Sequence, residues 1–207
     1  MSSDPTPSKA PAPKNKEQEN AIDQELMRRT QEGDIKAFEE LILRHQNAII
    51  GTAAKMLKNH AEAEDIAQQT FVRLWKSAHR YRAEAKFTTY LYTIMRNLVF
   101  NESSRMSKKK MVSTDEKAEE SHFDISDREE YQPDKEALQS ELQKNVDIAI
   151  NELPESQRMA IVLRKYEQLS YDDIAEVMDI SVSAVKSQLF RARGALKVSL
   201  ASYLDKQ

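Results

Sequence analysis

Cysteine is absent from the 207-residue chain. That excludes a disulfide framework, a thiolate zinc site and a cysteine nucleophile. Glycine is nearly absent: Gly33, Gly51 and Gly194 stand isolated, so there is no glycine-rich phosphate loop. Proline is scarce beyond the start of the chain. Four of the six, Pro5, Pro7, Pro11 and Pro13, lie in the first 13 residues. No apolar run reaches the ~18 residues of a membrane span, and Met1 to Asn20 lacks the apolar centre of a signal peptide. A soluble, cytoplasmic protein is the expectation. Neither sign of charge dominates, with 31 Lys and Arg against 34 Asp and Glu and a net charge of -3. Such a chain does not hold nucleic acid through bulk charge; any such affinity has to come from a local patch.

What is present is helical periodicity. Residues 1–20, rich in Pro, Ser, Lys and Ala, read as a disordered tail. From 21 to 111 the pattern is helical, with Asp34 as an N-cap after Gly33 and Ile35, Phe38, Leu41, Ile42, Ile49 and Ile50 recurring near the helical period. A second helix spans about Ala61 to His79, and a third starts near Phe87. Residues 112–134 read as a flexible acidic linker holding Asp115, Glu116, Glu119 and Glu120 and closing at Pro133. From 135 to 207 a second helical block begins, with Leu138, Leu142, Val146 and Ile150 spaced by four. Pro154 breaks that helix. Further helices are expected over about Glu155 to Glu167, Tyr171 to Met178 and Val182 to Leu204. The fold class is all-α: two small helical domains joined by the linker.

The segment Leu169 to Arg193 is the most specific. Ser170 followed by Asp173 is close to a capping box. Asp179 sits at a turn that needs a left-handed residue, and Ser181 caps the helix after it. Val182, Val185 and Leu189 form that helix's buried face, while Ser183, Lys186, Ser187, Phe190 and Arg191 form its exposed face. This is a helix-turn-helix, with its second helix suited to a major groove. Between Ile180 and Leu204 stand Lys186, Arg191, Arg193 and Lys197 and no acidic residue, as phosphate contact and guanine reading require. A helical hairpin with a solvated basic face is the competing reading.

In the first domain, Asp65, Gln68, Gln69 and Arg73 project from a helix whose Ile66, Phe71, Leu74 and Trp75 suit a core. On pattern alone this is a solvated face. The stretch from Tyr81 to Lys110 interleaves Tyr81, Phe87, Tyr90, Tyr92 and Phe100 with Lys86, Arg96, Arg105, Lys108, Lys109 and Lys110. Rings and cations together suit single-stranded nucleic acid, and Asn97 and Asn101 share a helix face from which amides reach base edges. Alternatively the rings are core. Catalysis finds little support: His45, His60, His79 and His122 are scattered, and the adjacent Asp172 and Asp173 point apart. No cofactor, metal or small-molecule substrate is expected.

The run Phe87-Thr-Thr-Tyr-Leu-Tyr-Thr-Ile-Met-Arg-Asn97, the acidic linker, Leu153-Pro-Glu-Ser-Gln-Arg158, Leu169-Ser-Tyr-Asp-Asp-Ile-Ala175 and Val185-Lys-Ser-Gln-Leu-Phe-Arg-Ala-Arg193, in this order, resemble bacterial RNA polymerase sigma factors. The similarity is to the extracytoplasmic-function group of the sigma-70 family, of the envelope-stress type, and it covers about Ile22 to Leu204. It implies that Asp65, Gln68, Phe71, Arg73 and Trp75 bind core RNA polymerase. It places Tyr81, Lys86, Phe87, Tyr90, Asn97 and Asn101 on the melted, single-stranded -10 element of a promoter. Arg164, Tyr171, Ser183, Lys186, Ser187, Phe190 and Arg191 fall on the duplex -35 element. The resemblance further implies an anti-sigma factor, often membrane-bound. The chain departs from the family pattern at Tyr90, where Trp is frequent, at Asn101, where Asp is common, and at Gln188, where Arg is frequent. A stand-alone regulator that binds an operator through the second domain is the alternative function.

Overall fold

The computed structural model describes residues 16–112 and 133–204. The helices are α1 (Lys16–Gln31), α2 (Ile35–Leu57), α3 (His60–Ser77), α4 (Phe87–Val112), α5 (Pro133–Glu152), α6 (Glu155–Lys165), α7 (Tyr171–Met178) and α8 (Val182–Leu204), with a 3-10 turn over Ala78–Arg80. No strand occurs among the described residues.

Local chemistry sets the helix boundaries. Gly33 adopts φ 89°, which a side chain would strain, and Asp34 then accepts a hydrogen bond from the Ala37 backbone N–H at 3.1 Å to start α2. Lys58 turns left-handed to end α2, and Asn59 caps α3 through the Glu62 N–H at 3.3 Å. Helix α4 borrows its cap from elsewhere in the chain. The Phe87 N–H donates to Asn20 Oδ1 at 2.9 Å, and Gln24 donates to the Ala85 carbonyl at 3.2 Å. That anchoring corrects the expected tail boundary, because residues 16–20 are wound into α1 and belong to the first domain. The rest of the expected tail and the acidic stretch 113–132 lie outside the described residues.

The buried apolar residues of the two halves join in one continuous cluster. Met27, Leu41, Ile49, Leu74, Phe87, Leu91, Met95 and Val99 are fully enclosed in the first; Met159, Leu163, Ile174 and Leu189 are enclosed in the second. Along the four-step stripe of α5, Ile150 is enclosed, Val146 half-buried and Leu142 exposed. Helix α6 ends at Lys165 rather than Glu167, since Gln168 turns left-handed (φ 54°). The halves also touch. Helix α7 packs along α4, and α5 and α6 pack against α2.

Candidate polymerase- and DNA-binding faces

Three exposed faces carry chemistry that the cores do not need. The first is an apolar groove of about 790 Å³ between α2 and α3. Gln68, Val72 and Trp75 of α3 line one wall, and Ile35, Phe38 and Ile42 of α2 line the other. The Phe38 and Trp75 rings lie 4.9 Å apart, and Trp75 remains 39% exposed. Of the residues the sequence singled out here, the groove brings together Gln68, Phe71 and Trp75. Phe71 is nearly enclosed and forms its floor. Asp65 and Arg73 are exposed but do not line it. Sequence reasoning missed the α2 wall, because Ile35, Phe38 and Ile42 follow the same periodic run as the core residues Leu41 and Ile49. The excess width of that run was the available signal, since one buried stripe does not need it.

The second face surrounds the start of α4. Here the structure separates residues that the sequence grouped. Phe87 is 0% exposed and Tyr81 5%. Their rings are 6.2 Å apart, with His45 5.3 Å from Phe87 and Tyr90 5.2 Å from Tyr81. Burial, followed by the charge of Asp23, pushes the Tyr81 phenol up, partly offset by Gln24. Rings enclosed in this way hold the domain together and have no face open to a base. Tyr90 is half-buried, with its hydroxyl 2.8 Å from Ser77 Oγ. Lys86, Asn97 and Asn101 are exposed. Lys86 pairs with Asp173 of α7 at 2.7 Å. Arg96 donates to Asn97 Oδ1 at 2.6 Å and to the Met178 carbonyl. Arg105 is bound to Glu102 at 2.6 Å, which removes it from the set of free cations.

The third face is the helix-turn-helix. Ser170 Oγ accepts from the Asp173 N–H at 3.1 Å, and Asp173 Oδ2 accepts in return from the Ser170 N–H at 3.1 Å, closing the capping box. Burial pushes the Asp173 carboxyl up, but Lys86 and Ser170 outweigh this and hold it below the usual aspartate value. Asp179 is left-handed at φ 54°, and Ser181 caps α8 through the Ala184 N–H at 3.2 Å. Val185, Leu189 and Ala192 seat α8 in the core. Ser183, Lys186, Ser187, Phe190 and Arg191 all face solvent, Phe190 with 79% of its surface bare. At one edge Arg164 lies 5.1 Å over the Tyr171 ring and donates to the Leu169 carbonyl at 2.7 Å. Hydrogen bonding to Arg193 and its charge lower the Tyr171 phenol, with Arg164 and Lys186 adding to the effect. Arg193 therefore joins this cationic edge, although the sequence reading counted it only in the basic run of α8.

Among the described residues no group of three or more His, Asp or Glu is placed to hold a metal ion, and no helix is long and apolar enough to cross a membrane.

A family model described as Sigma-70 region 2 matches residues 41–108, and one described as Sigma-70, region 4 matches residues 144–196. The RNA polymerase sigma-H factor of Pseudomonas aeruginosa is 35% identical over 181 residues, spanning 86% of this chain and 93% of that protein. The ECF RNA polymerase sigma-E factor of Haemophilus influenzae is 37% identical over 178 residues, spanning 84% and 93%. Among solved structures, RpoE of Bartonella quintana in complex with the anti-sigma factor NepR matches with a TM-score of 0.66 at 24% identity, covering 80% of this chain and 98% of that one. CnrH in complex with the cytosolic domain of CnrY matches at 0.64 and 22%, covering 87% and 98%. The chain belongs to the extracytoplasmic-function group of the sigma-70 family of RNA polymerase sigma factors. It directs RNA polymerase to specific promoters.

Proposed function

We propose that the three faces divide the work of promoter recognition among named residues. The α2–α3 groove binds core RNA polymerase, with Gln68, Val72 and Trp75 opposite Ile35, Phe38 and Ile42, and Asp65 and Arg73 on its flank. Apolar walls around a half-exposed Trp suit a helical partner. Lys86, Tyr90, Asn97 and Asn101 bind the melted -10 strand: the ring stacks, the amides meet base edges and the lysine follows the backbone. Tyr81 and Phe87 support this face from beneath. The helix-turn-helix reads the -35 duplex through Ser183, Lys186, Ser187, Phe190 and Arg191, with Arg164, Tyr171 and Arg193 at the phosphate edge.

Phe190 carries this reading: a large ring 79% bare, between Lys186 and Arg191, on a helix whose opposite face is enclosed. A ring in that position meets thymine methyls in a major groove. The protein contributes recognition and no catalysis, and it acts where polymerase and DNA are, in the cytoplasm. An anti-sigma factor is the partner that restrains it, as NepR and CnrY accompany RpoE and CnrH. Its contact includes the α2–α3 groove, which it denies to polymerase.

Run-off transcription with bacterial core polymerase on genomic promoter fragments, including the region upstream of its own gene, tests the reading. Transcripts dependent on the protein, and lost with Lys186→Ala plus Phe190→Ala, are expected. Protein-dependent transcripts insensitive to both changes would remove the -35 assignment. Binding of the isolated protein to a duplex operator without polymerase-dependent transcription would favour a stand-alone regulator.

A further inference from the structure

The loop between α3 and α4, residues 78–86, is held by side chains from the start of the first domain. Asn20, Gln24 and Gln31 share one stripe of α1 with the enclosed Met27. Gln31 Nε2 donates to the Ala78 carbonyl at 2.9 Å and to the Tyr81 carbonyl at 3.1 Å. Gln24 Nε2 donates to the Ala85 carbonyl at 3.2 Å, and Asn20 Oδ1 accepts from the Phe87 N–H at 2.9 Å. Every one of these contacts is to main chain. A stripe that only had to pack would be apolar. Amides aimed at backbone groups fix the path of a loop, satisfy groups that no helix ladder satisfies, and leave its side chains free. Those side chains are sorted. Ala78 and Tyr81 turn inward, at 6% and 5% exposed, while Arg80 and Arg82, on either side of Tyr81, face solvent. Glu84 is the one acidic residue of the loop. Arg28, Arg29, Arg44 and Arg105 of the same half each hold a carboxylate. Arg80 and Arg82 hold none among the described residues; Arg80 instead donates to His79 Nε2 at 3.2 Å. The Tyr81 ring between them lies 5.2 Å from the Tyr90 ring, and the Tyr90 hydroxyl lies 2.8 Å from Ser77 Oγ, just before the loop. The loop therefore brackets Tyr90.

We propose that Asn20, Gln24 and Gln31 are positioning residues for promoter opening: they hold the loop so that Arg80 and Arg82 take phosphates of the melted strand beside Tyr90. This rests on the assignment of Tyr90 and the start of α4 to the -10 strand. A guanidinium engages a phosphate best through two parallel N–H bonds, which demands a fixed approach. A wandering loop would have to be ordered when DNA arrives, and that ordering weakens binding. A loop already tied to α1 meets the strand in one conformation. Phosphate contacts carry no base information. The two arginines thus add hold on the open strand and leave the choice of base to Tyr90, Asn97 and Asn101.

Holoenzyme reconstituted from the full chain and core RNA polymerase, on a promoter found by run-off transcription, tests this through the salt dependence of open-complex affinity. Each phosphate contact to a single strand adds about 0.7 to the slope of log K against log salt. Arg80→Ala plus Arg82→Ala should flatten the slope by about 1.4 and weaken the complex about tenfold or more. Gln24→Met plus Gln31→Met keeps side-chain length and removes the donors. It should flatten the slope in the same direction with both arginines still present. Asn20→Leu should do the same, whereas Asn20→Asp keeps the acceptor at the cap and should retain the parental slope. Circular dichroism and urea melts check the fold of each variant. If the double glutamine variant does not fold, Gln31→Met alone, at an exposed position, carries the test. An unchanged slope in the arginine variant would overturn the phosphate contacts. Affinity lost at unchanged slope in the glutamine variant would show a merely structural role and overturn the positioning, as would parental values of both. A failed -10 assignment reads differently: Tyr90→Ala plus Asn97→Ala would then open the promoter normally, followed by permanganate reactivity.

Discussion

Two phenylalanines that sequence reasoning gave the same kind of role separate cleanly in the structure, and their truncation should separate too. Phe87 is fully enclosed; Phe190 is 79% bare. A Phe side chain covers roughly 200 Å², and burial is worth about 25 cal/mol per Å². Phe87→Ala therefore loses ~5 kcal/mol by area, close to the ~3–5 kcal/mol typical of such cavities. That is comparable with the whole stability of many domains, about 5–15 kcal/mol. Phe190 has only about a fifth of its surface covered, ~40 Å² on the same scale, so its truncation costs the fold at most ~1 kcal/mol. Seated against duplex DNA, the other four-fifths becomes available. Set against the ordering and desolvation costs of docking, a loss of ~1–3 kcal/mol is expected, a tenfold to hundredfold drop in promoter affinity. Urea denaturation of each variant, beside promoter binding by reconstituted holoenzyme at one fixed salt concentration, measures both quantities. A Phe190→Ala protein that is strongly destabilised, or one that binds its promoter with undiminished affinity, would refute the reasoning.

Other expectations are as direct. Trp75→Ala plus Val72→Ala should weaken core polymerase binding at least about tenfold in a competition assay, because the α3 wall of the groove loses its apolar anchors, with little change in thermal stability. Ser170→Ala removes the cap of α7 and should cost about 1 kcal/mol in denaturant melts. The Asp173 carboxyl is held below its ordinary value of 3.8 by Lys86 and Ser170 despite the opposing effect of burial. Its stabilisation is thus complete above that value and lost as pH falls through the lowered one. Asp173→Asn should flatten that acid limb in melts recorded as a function of pH; an unchanged limb would remove Asp173 as its source. Asn97→Ala plus Asn101→Ala should impair promoter opening, followed by permanganate reactivity, more than formation of the closed complex.

How much of this was legible in the sequence depends on the range of the interactions involved. The helix-turn-helix was legible residue by residue, because its determinants are local. A cap at Ser170, a left-handed Asp179, a second cap at Ser181 and a periodic Val185 and Leu189 fix both the boundaries and the outward face, although Val182, expected beside them, is only half-buried and Ala192 is enclosed instead. The face around α4 was legible only in part. Whether an aromatic ring faces inward depends on partners such as His45 and Tyr81, which lie on other elements, and interleaved charge does not encode that. The α2 wall of the groove was obscured because one helix carries two apolar stripes. Asn20 as the cap of α4, and Glu167 between Thr52 and Tyr92, left no trace at all. Each is a single polar residue acting across a long stretch of chain, with no repeat to betray it.

Apolar burial runs through both halves: Phe87, Leu91 and Met95 in one and Met159, Leu163 and Ile174 in the other belong to one continuous cluster. Those contacts cannot be exchanged for water cheaply. Polar groups also join the halves: a carboxylate, hydroxyls, guanidinium groups and carbonyls. On separation each of these recovers a hydrogen bond from water, so the net cost per bond is far below its gross strength. With a net charge of -3 the chain has little bulk attraction for DNA, so any such affinity has to come from local patches such as the cationic edge of Arg164, Lys186 and Arg193.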